Sequence, residues 1–131
     1  MVFQAADPQS KEAGSEPEIA VFNALLRVGK RPGVDFTFQS KLFGGRVEKG
    51  GKIIDFDFVE PPDLAINVQG VYYHYEQGQS IVQSDVHTRS FLASEGVTLI
   101  FIDEDDALRD SMYYVREALA YRDHSRLGMG S

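Results

Sequence analysis

Two stretches decide the fold: Ile53-Ile54-Asp55-Phe56-Asp57-Phe58-Val59 and, beyond Glu60-Pro61-Pro62-Asp63, Leu64-Ala65-Ile66-Asn67-Val68-Gln69-Gly70-Val71-Tyr72-Tyr73. Side chains alternate sides along a strand. The first stretch therefore puts Ile54, Phe56 and Phe58 on one face and Asp55 and Asp57 on the other; the second sets Ile66 and Val68 against Asn67 and Gln69. Paired as a hairpin across the prolines, which cannot continue a ladder, the apolar rows meet one helix layer. Asp55, Asp57, Asn67 and Gln69 then gather on one polar patch. Two carboxylates a residue apart beside amide oxygens have the chemistry of a hard-cation site, because magnesium takes oxygen ligands and keeps several waters. An antiparallel hairpin with one wet face gives the same alternation with no chemistry at all, and the pattern leaves both readings open.

Upstream, Ser15-Glu16-Pro17-Glu18 is a capping box with proline in the first turn. Ile19, Phe22 and Leu26 follow at helical spacing with Leu25 beside them, and Gly29 closes the helix. Glu18 stands one and two turns before Phe22 and Leu25, so it can lean toward the core as a third acid or serve only the cap. Phe36 to Phe43 alternates as a strand, and the glycine pairs at 44–45 and 50–51 bracket a turn-rich connection.

Downstream, Ser80 to about Glu95 predicts a helix ended by Gly96, and Val97 to Ile102 is an apolar run of the kind buried on both faces. Asp103 to Asp106 bring acids to a helix start, where the dipole favours them. That is a better account of them than a metal site. Leu108, Met112, Val115 and Leu119 carry a last helix to about Arg122. Helix, three strands, helix, strand, helix predicts an α/β single domain over 15–125, with a mixed four- or five-stranded sheet flanked by helices. Residues 1–14 read as a flexible leader and 126–131 as a tail.

The 131 residues include no cysteine, which excludes disulfides, zinc–thiolate sites and thiol nucleophiles. No apolar run is long enough to span a bilayer and the first residues lack a signal-peptide pattern, so a cytoplasmic protein away from membranes is expected. The net charge of −7 opposes a polyanionic partner. Its distribution qualifies that: Arg27, Lys30, Arg31, Lys41, Arg46, Lys49 and Lys52 meet only Asp35 and Glu48, a +5 stripe on an otherwise acidic body. The stripe suits a nucleic-acid footprint or a solvated hairpin equally.

The helix with an acid, then GGKIIDF (50–56), LAINVQGVYYHY (64–75) and SDVHTRSFLASEGVTLIFID (84–103), resembles the restriction-endonuclease-like, PD-(D/E)XK nuclease superfamily, nearest its small very-short-patch-repair and resolvase-like phage members. The resemblance spans roughly residues 15–110 and implies an αβββαβ core followed by a C-terminal helix. It implies metal-assisted hydrolysis of phosphodiester bonds in DNA, structure-selective nicking or junction resolution, and a homodimer because two strands must be cut. Asp55 matches the metal-binding acid of the second strand, with Asp57 a close rival, and Glu18 matches the first-helix acid that completes the site. Asn67 and Gln69 fall on the (D/E)-x-K pair and depart from it. Asn67 offers a metal an uncharged oxygen, and Gln69 can orient a water but cannot place a positive charge on an oxyanion. The implied cofactor is Mg2+ or Mn2+, the implied catalytic set Asp55, Glu18, Asn67 and Gln69, and the implied DNA contacts Lys41, Arg46, Lys49, Lys52, His74 and Arg89.

Other residues have plainer readings. Asp85 and Arg89 form an i, i+4 ion pair before Arg89 meets any phosphate. His124 falls near the tail without a role, and the three histidines lack ligand spacing. Tyr72, Tyr73 and Tyr75 could stack bases or form a dimer face, while Tyr113 and Tyr114 pack one side of the last helix. The amide pair and the acidic charge leave two competitors to the nuclease: a catalytically degenerate member of the fold that binds DNA or protein, and an acidic interaction domain that ignores nucleic acid.

Overall fold

The computed structural model describes residues 15–38, 48–49, 52–70 and 79–127, the side chains of 48–49, 52–53 and 79–84 excepted. Helix α1 (Glu16–Arg27) starts at the expected capping box: Ser15 Oγ accepts the Glu18 N–H, and the Glu18 carboxylate accepts the Ser15 N–H at 3.0 Å. It ends at Gly29, whose φ of +97° is a left-handed conformation that glycine adopts without strain. Strands β1 (Phe36–Phe38), β4 (Phe56–Phe58), β5 (Leu64–Gln69) and β6 (Thr98–Asp103) form one mixed sheet in the order β1-β4-β5-β6. The first two junctions are antiparallel and β5–β6 is parallel. The crossover is helix α2 (Gln79–Ser94), and α3 (Glu104–Leu119) follows β6. A separate two-stranded hairpin joins β2 (Glu48–Lys49) to β3 (Lys52–Ile53). The protein is a single α/β domain, a four-stranded mixed sheet flanked by three helices.

Two cores fix the layers. Val21, Phe22 and Leu25 of α1 and Val115 of α3 pack with Phe36, Phe38, Phe56, Phe58, Ile66 and Ile100 on one face. The Phe38 and Phe56 rings stack there at 4.8 Å. On the other face Ala65, Leu99 and Phe101 pack with Leu92 of α2, Ile54 and Leu127. Each such large apolar side chain contributes about 1.5–3 kcal/mol by leaving water. Because β5 is covered on both faces, Leu64, Ala65 and Ile66 are all buried.

The reading of Ile53–Val59 as one uninterrupted strand is corrected. The chain bends at Asp55, β3 and β4 belong to different sheets, and Ile54 lies in the core opposite that of Phe56 and Phe58. The cause is local. With Phe56 opposite Ile66, a continued ladder would pair Val68 with Ile54, but the Val68 N–H donates to the Asp55 carboxylate at 2.8 Å instead. A side chain has taken the place of a strand carbonyl, and the alternation restarts there.

Arg126 and Leu127, read above as the start of a tail, are held by the domain. Arg126 N–H donates to Asp103 at 3.0 Å and Leu127 is buried in the second core. The Phe101 N–H on the outer edge of β6 donates to Asp123 at 2.9 Å, so this segment also covers the sheet edge. Inside α3, Asp110 breaks helical geometry (φ −158°, ψ 73°). No helix among the described residues is long and apolar enough to cross a membrane.

Candidate functional site

At the end of the sheet where β4 begins and β5 finishes, three of the polar residues singled out in the sequence come together with a fourth. Asn67 Oδ1 accepts the Asp55 N–H at 2.7 Å while Asp55 Oδ2 accepts the Val68 N–H, so Asp55 is tied to two successive residues of β5 across the strand gap. Two positions on, Gln69 Nε2 donates to Asp85 Oδ2 at 2.6 Å. The alternation of β5 sets Asn67 and Gln69 on the face of Ala65, toward α2, and α2 supplies Asp85. Asn67, Gln69 and Asp85 are buried and Asp55 is half-buried.

Buried amides and carboxylates demand hydrogen-bond partners, and these four residues meet that demand largely with one another and with the β5 backbone. The result is a polar seam of two carboxylates and two amides set against the apolar residues of the second core. Its oxygens are the donor type a hard divalent cation takes.

The remaining sequence candidates are distributed as follows. Asp57 is half-buried opposite Ala65 and Thr37, on the face of the seam. Glu18 serves the cap of α1, which covers the other face of the sheet from α2. Lys49 and Lys52 stand opposite each other in the β2–β3 hairpin. Lys41, Arg46, His74 and Tyr72, Tyr73 and Tyr75 lie outside the described residues. Arg89, expected to pair with Asp85, instead donates to the Leu127 carbonyl and lies over the Phe101 ring at 5.7 Å.

Asp85 is the residue that pattern reading assigned to the wrong partner. A signal was present: Asp85, Thr88 and Leu92 follow the 3, 4 spacing of one helix face, and all three are buried. An acid in that row has to meet something polar on the sheet, and Gln69 is that group.

A second acidic group lies at the start of α3. Carboxylate oxygens of Asp103, Asp105 and Asp106 fall within 4.8 Å of one another and could hold a metal ion. Asp103 stands opposite Gln69 in the β5–β6 register. Arginines already serve this group: Arg126 Nη1 lies 2.9 Å from Asp103 and Nη2 3.1 Å from Asp105, and Arg109 Nη2 lies 2.6 Å from Asp106. The Arg126 hydrogen bond holds the Asp105 carboxyl below its ordinary range.

Along the outer edge of β6, a cavity of about 550 Å³ is lined by Arg89, Thr98, Leu99, Tyr121 and His124 among others. Its basic side chains have partners, Arg122 and His124 both bonding Glu117 at 2.8 Å. Comparison with protein-family models, with curated proteins and with solved structures finds no match to this chain.

Proposed function

We propose that the protein is a divalent-cation-dependent DNA endonuclease of the restriction-endonuclease-like kind, structure-selective rather than sequence-reading, nicking DNA or resolving junctions. The observation that carries this reading is the tie of Asp55 to Asn67 and Val68. It stands at the junction of the second and third strands of the main sheet, where the resemblance expects the cation-binding acid to meet the polar pair. The order α1, three sheet strands, α2, β6 also supports it.

The residues fit a hard cation: Asp55 would offer anionic oxygen and Asn67 Oδ1 a neutral one, with Mg2+ or Mn2+ the ions of matching chemistry. A bound ion would supply a water of lowered pKa and charge to set against the phosphoryl oxygens. The chain's own contribution is positional. The Val68 N–H holds the Asp55 carboxylate, and the Asp55 N–H holds the Asn67 amide with its oxygen toward the strand gap. The basic hairpin around Lys49 and Lys52 would meet the DNA backbone.

One observation favours a second reading, a DNA-binding module that does not cleave. Gln69 gives its NH2 group to Asp85, so the position of the superfamily's lysine carries no charge and no donor for a phosphate. The test is incubation of branched and linear DNA with the protein in Mg2+ and in Mn2+, beside Asp55→Asn. Nicking that needs the metal and vanishes in the variant supports the endonuclease. Intact DNA with salt-sensitive retention supports binding alone, and absence of both overturns the nucleic-acid reading.

A further inference from the structure

We infer that Asp85 is a positioning residue that makes Gln69 an oxygen ligand, so that the seam takes a hard divalent cation through Asp55, Asn67 and Gln69 together. The inference rests on reading Asp55 and Asn67 as a cation site. Its basis is the 2.6 Å contact between Gln69 Nε2 and Asp85 Oδ2, with Gln69 3% and Asp85 1% exposed. A carboxylate only accepts, so the group facing it must be the NH2. Turning the amide over would set oxygen against oxygen at that distance, in an interior where water cannot relieve the repulsion. The carbonyl Oε1 is thereby directed away from Asp85, on the strand face that Gln69 shares with Asn67.

A lysine at this position would repel a cation and donate to a phosphate. The fixed glutamine does neither and supplies a neutral oxygen, the ligand type that hard cations accept alongside carboxylates. The rest of the set is already oxygen, from Asp55 and Asn67. The departure from the superfamily's pair therefore trades a charge on the leaving oxyanion for an added ligand on the metal. Asp85 acts through Gln69, at one remove from the ion, in the manner of the outer partners that orient metal ligands.

The test is Mn2+ titration followed by electron paramagnetic resonance, with the Gln69 side-chain amide followed by NMR in the metal-free protein. All proteins carry Asp105→Asn, which weakens the second acidic group. Asp85→Asn is close in shape but can present either nitrogen or oxygen to Gln69. It is expected to weaken Mn2+ binding about tenfold, the low end for an outer partner of a metal ligand, and to move the Gln69 NH2 resonances. Asp55→Asn is expected to weaken binding at least as much. Unchanged Mn2+ affinity in Asp85→Asn, with Asp55→Asn weakened, overturns this inference and leaves the cation site standing. Unchanged affinity in Asp55→Asn overturns both. Should Asp85→Asn fail to fold by circular dichroism, Gln69→Met removes the oxygen and keeps the volume: lost affinity supports the inference and retained affinity overturns it.

Discussion

Gln69 and Asp85 are separated by 16 positions in the chain and joined in the interior by a 2.6 Å hydrogen bond, the strand residue donating to the helix residue. This bond ties α2 to the end of β5 at a depth where neither group reaches water. Removing the acceptor leaves a buried NH2 without the partner it has among the described residues, which costs about 1–3 kcal/mol. Asp85→Ala is therefore expected to lower the urea midpoint by that free energy with an unchanged m-value, and a midpoint within error of the wild type would contradict the role given to the pair.

Arg126 bridges Asp103 and Asp105 from the end of the described chain. Asp103 is 1% exposed whereas the Arg126 side chain is about half exposed. Without the guanidinium, Asp103 keeps the backbone N–H of residue 126, and the arginine's exposure screens the pair, so the loss is about 1 kcal/mol. Arg126→Ala should lose that stability and regain part of it when Mg2+ or Ca2+ is added, because Asp103 and Asp105 no longer have their guanidinium. Thermal melts with and without cation check both halves.

Acid should act through Glu117. The Arg122 hydrogen bond first, and that of His124 second, hold its carboxyl at about 2 against an ordinary 4.5. A carboxylate whose folded pKa is depressed contributes stability above the unfolded value and loses it as pH falls toward the folded one. The Tm difference between wild type and Glu117→Gln is accordingly expected to be full just above pH 4.5 and to close between pH 4.5 and pH 2. Because the cluster is exposed, the difference is small and shrinks further in salt. A gap that widened on acidification would reverse the assignment.

What the sequence made legible was whatever depends on neighbours along the chain. The capping box at Ser15–Glu18, the apolar run of β6 and the spacing of α3 are local, and the element order followed from them. The flip at Asp55 was hidden because it arises from a bond to Val68, 13 residues away, that no period-2 pattern encodes. Arg89 illustrates the opposite error. Its i, i+4 spacing from Asp85 fits a surface pair, but Asp85 is buried toward Gln69, and the arginine lies over Phe101 instead. Arg126 and Leu127 read as a tail because a lone charge and a lone leucine carry no periodicity, although Asp103 and the second core hold them. The site was half legible: Asp55, Asn67 and Gln69 by alternation, Asp85 only through the helix face it shares with Thr88 and Leu92.

The most direct test is a crystal soaked in manganese chloride and measured at the manganese absorption edge. The account predicts an anomalous peak within coordination distance of the Asp55 carboxylate and the Asn67 Oδ1, absent from crystals of Asp55→Asn. A peak confined to Asp103, Asp105 and Asp106, or none at either place, would contradict it.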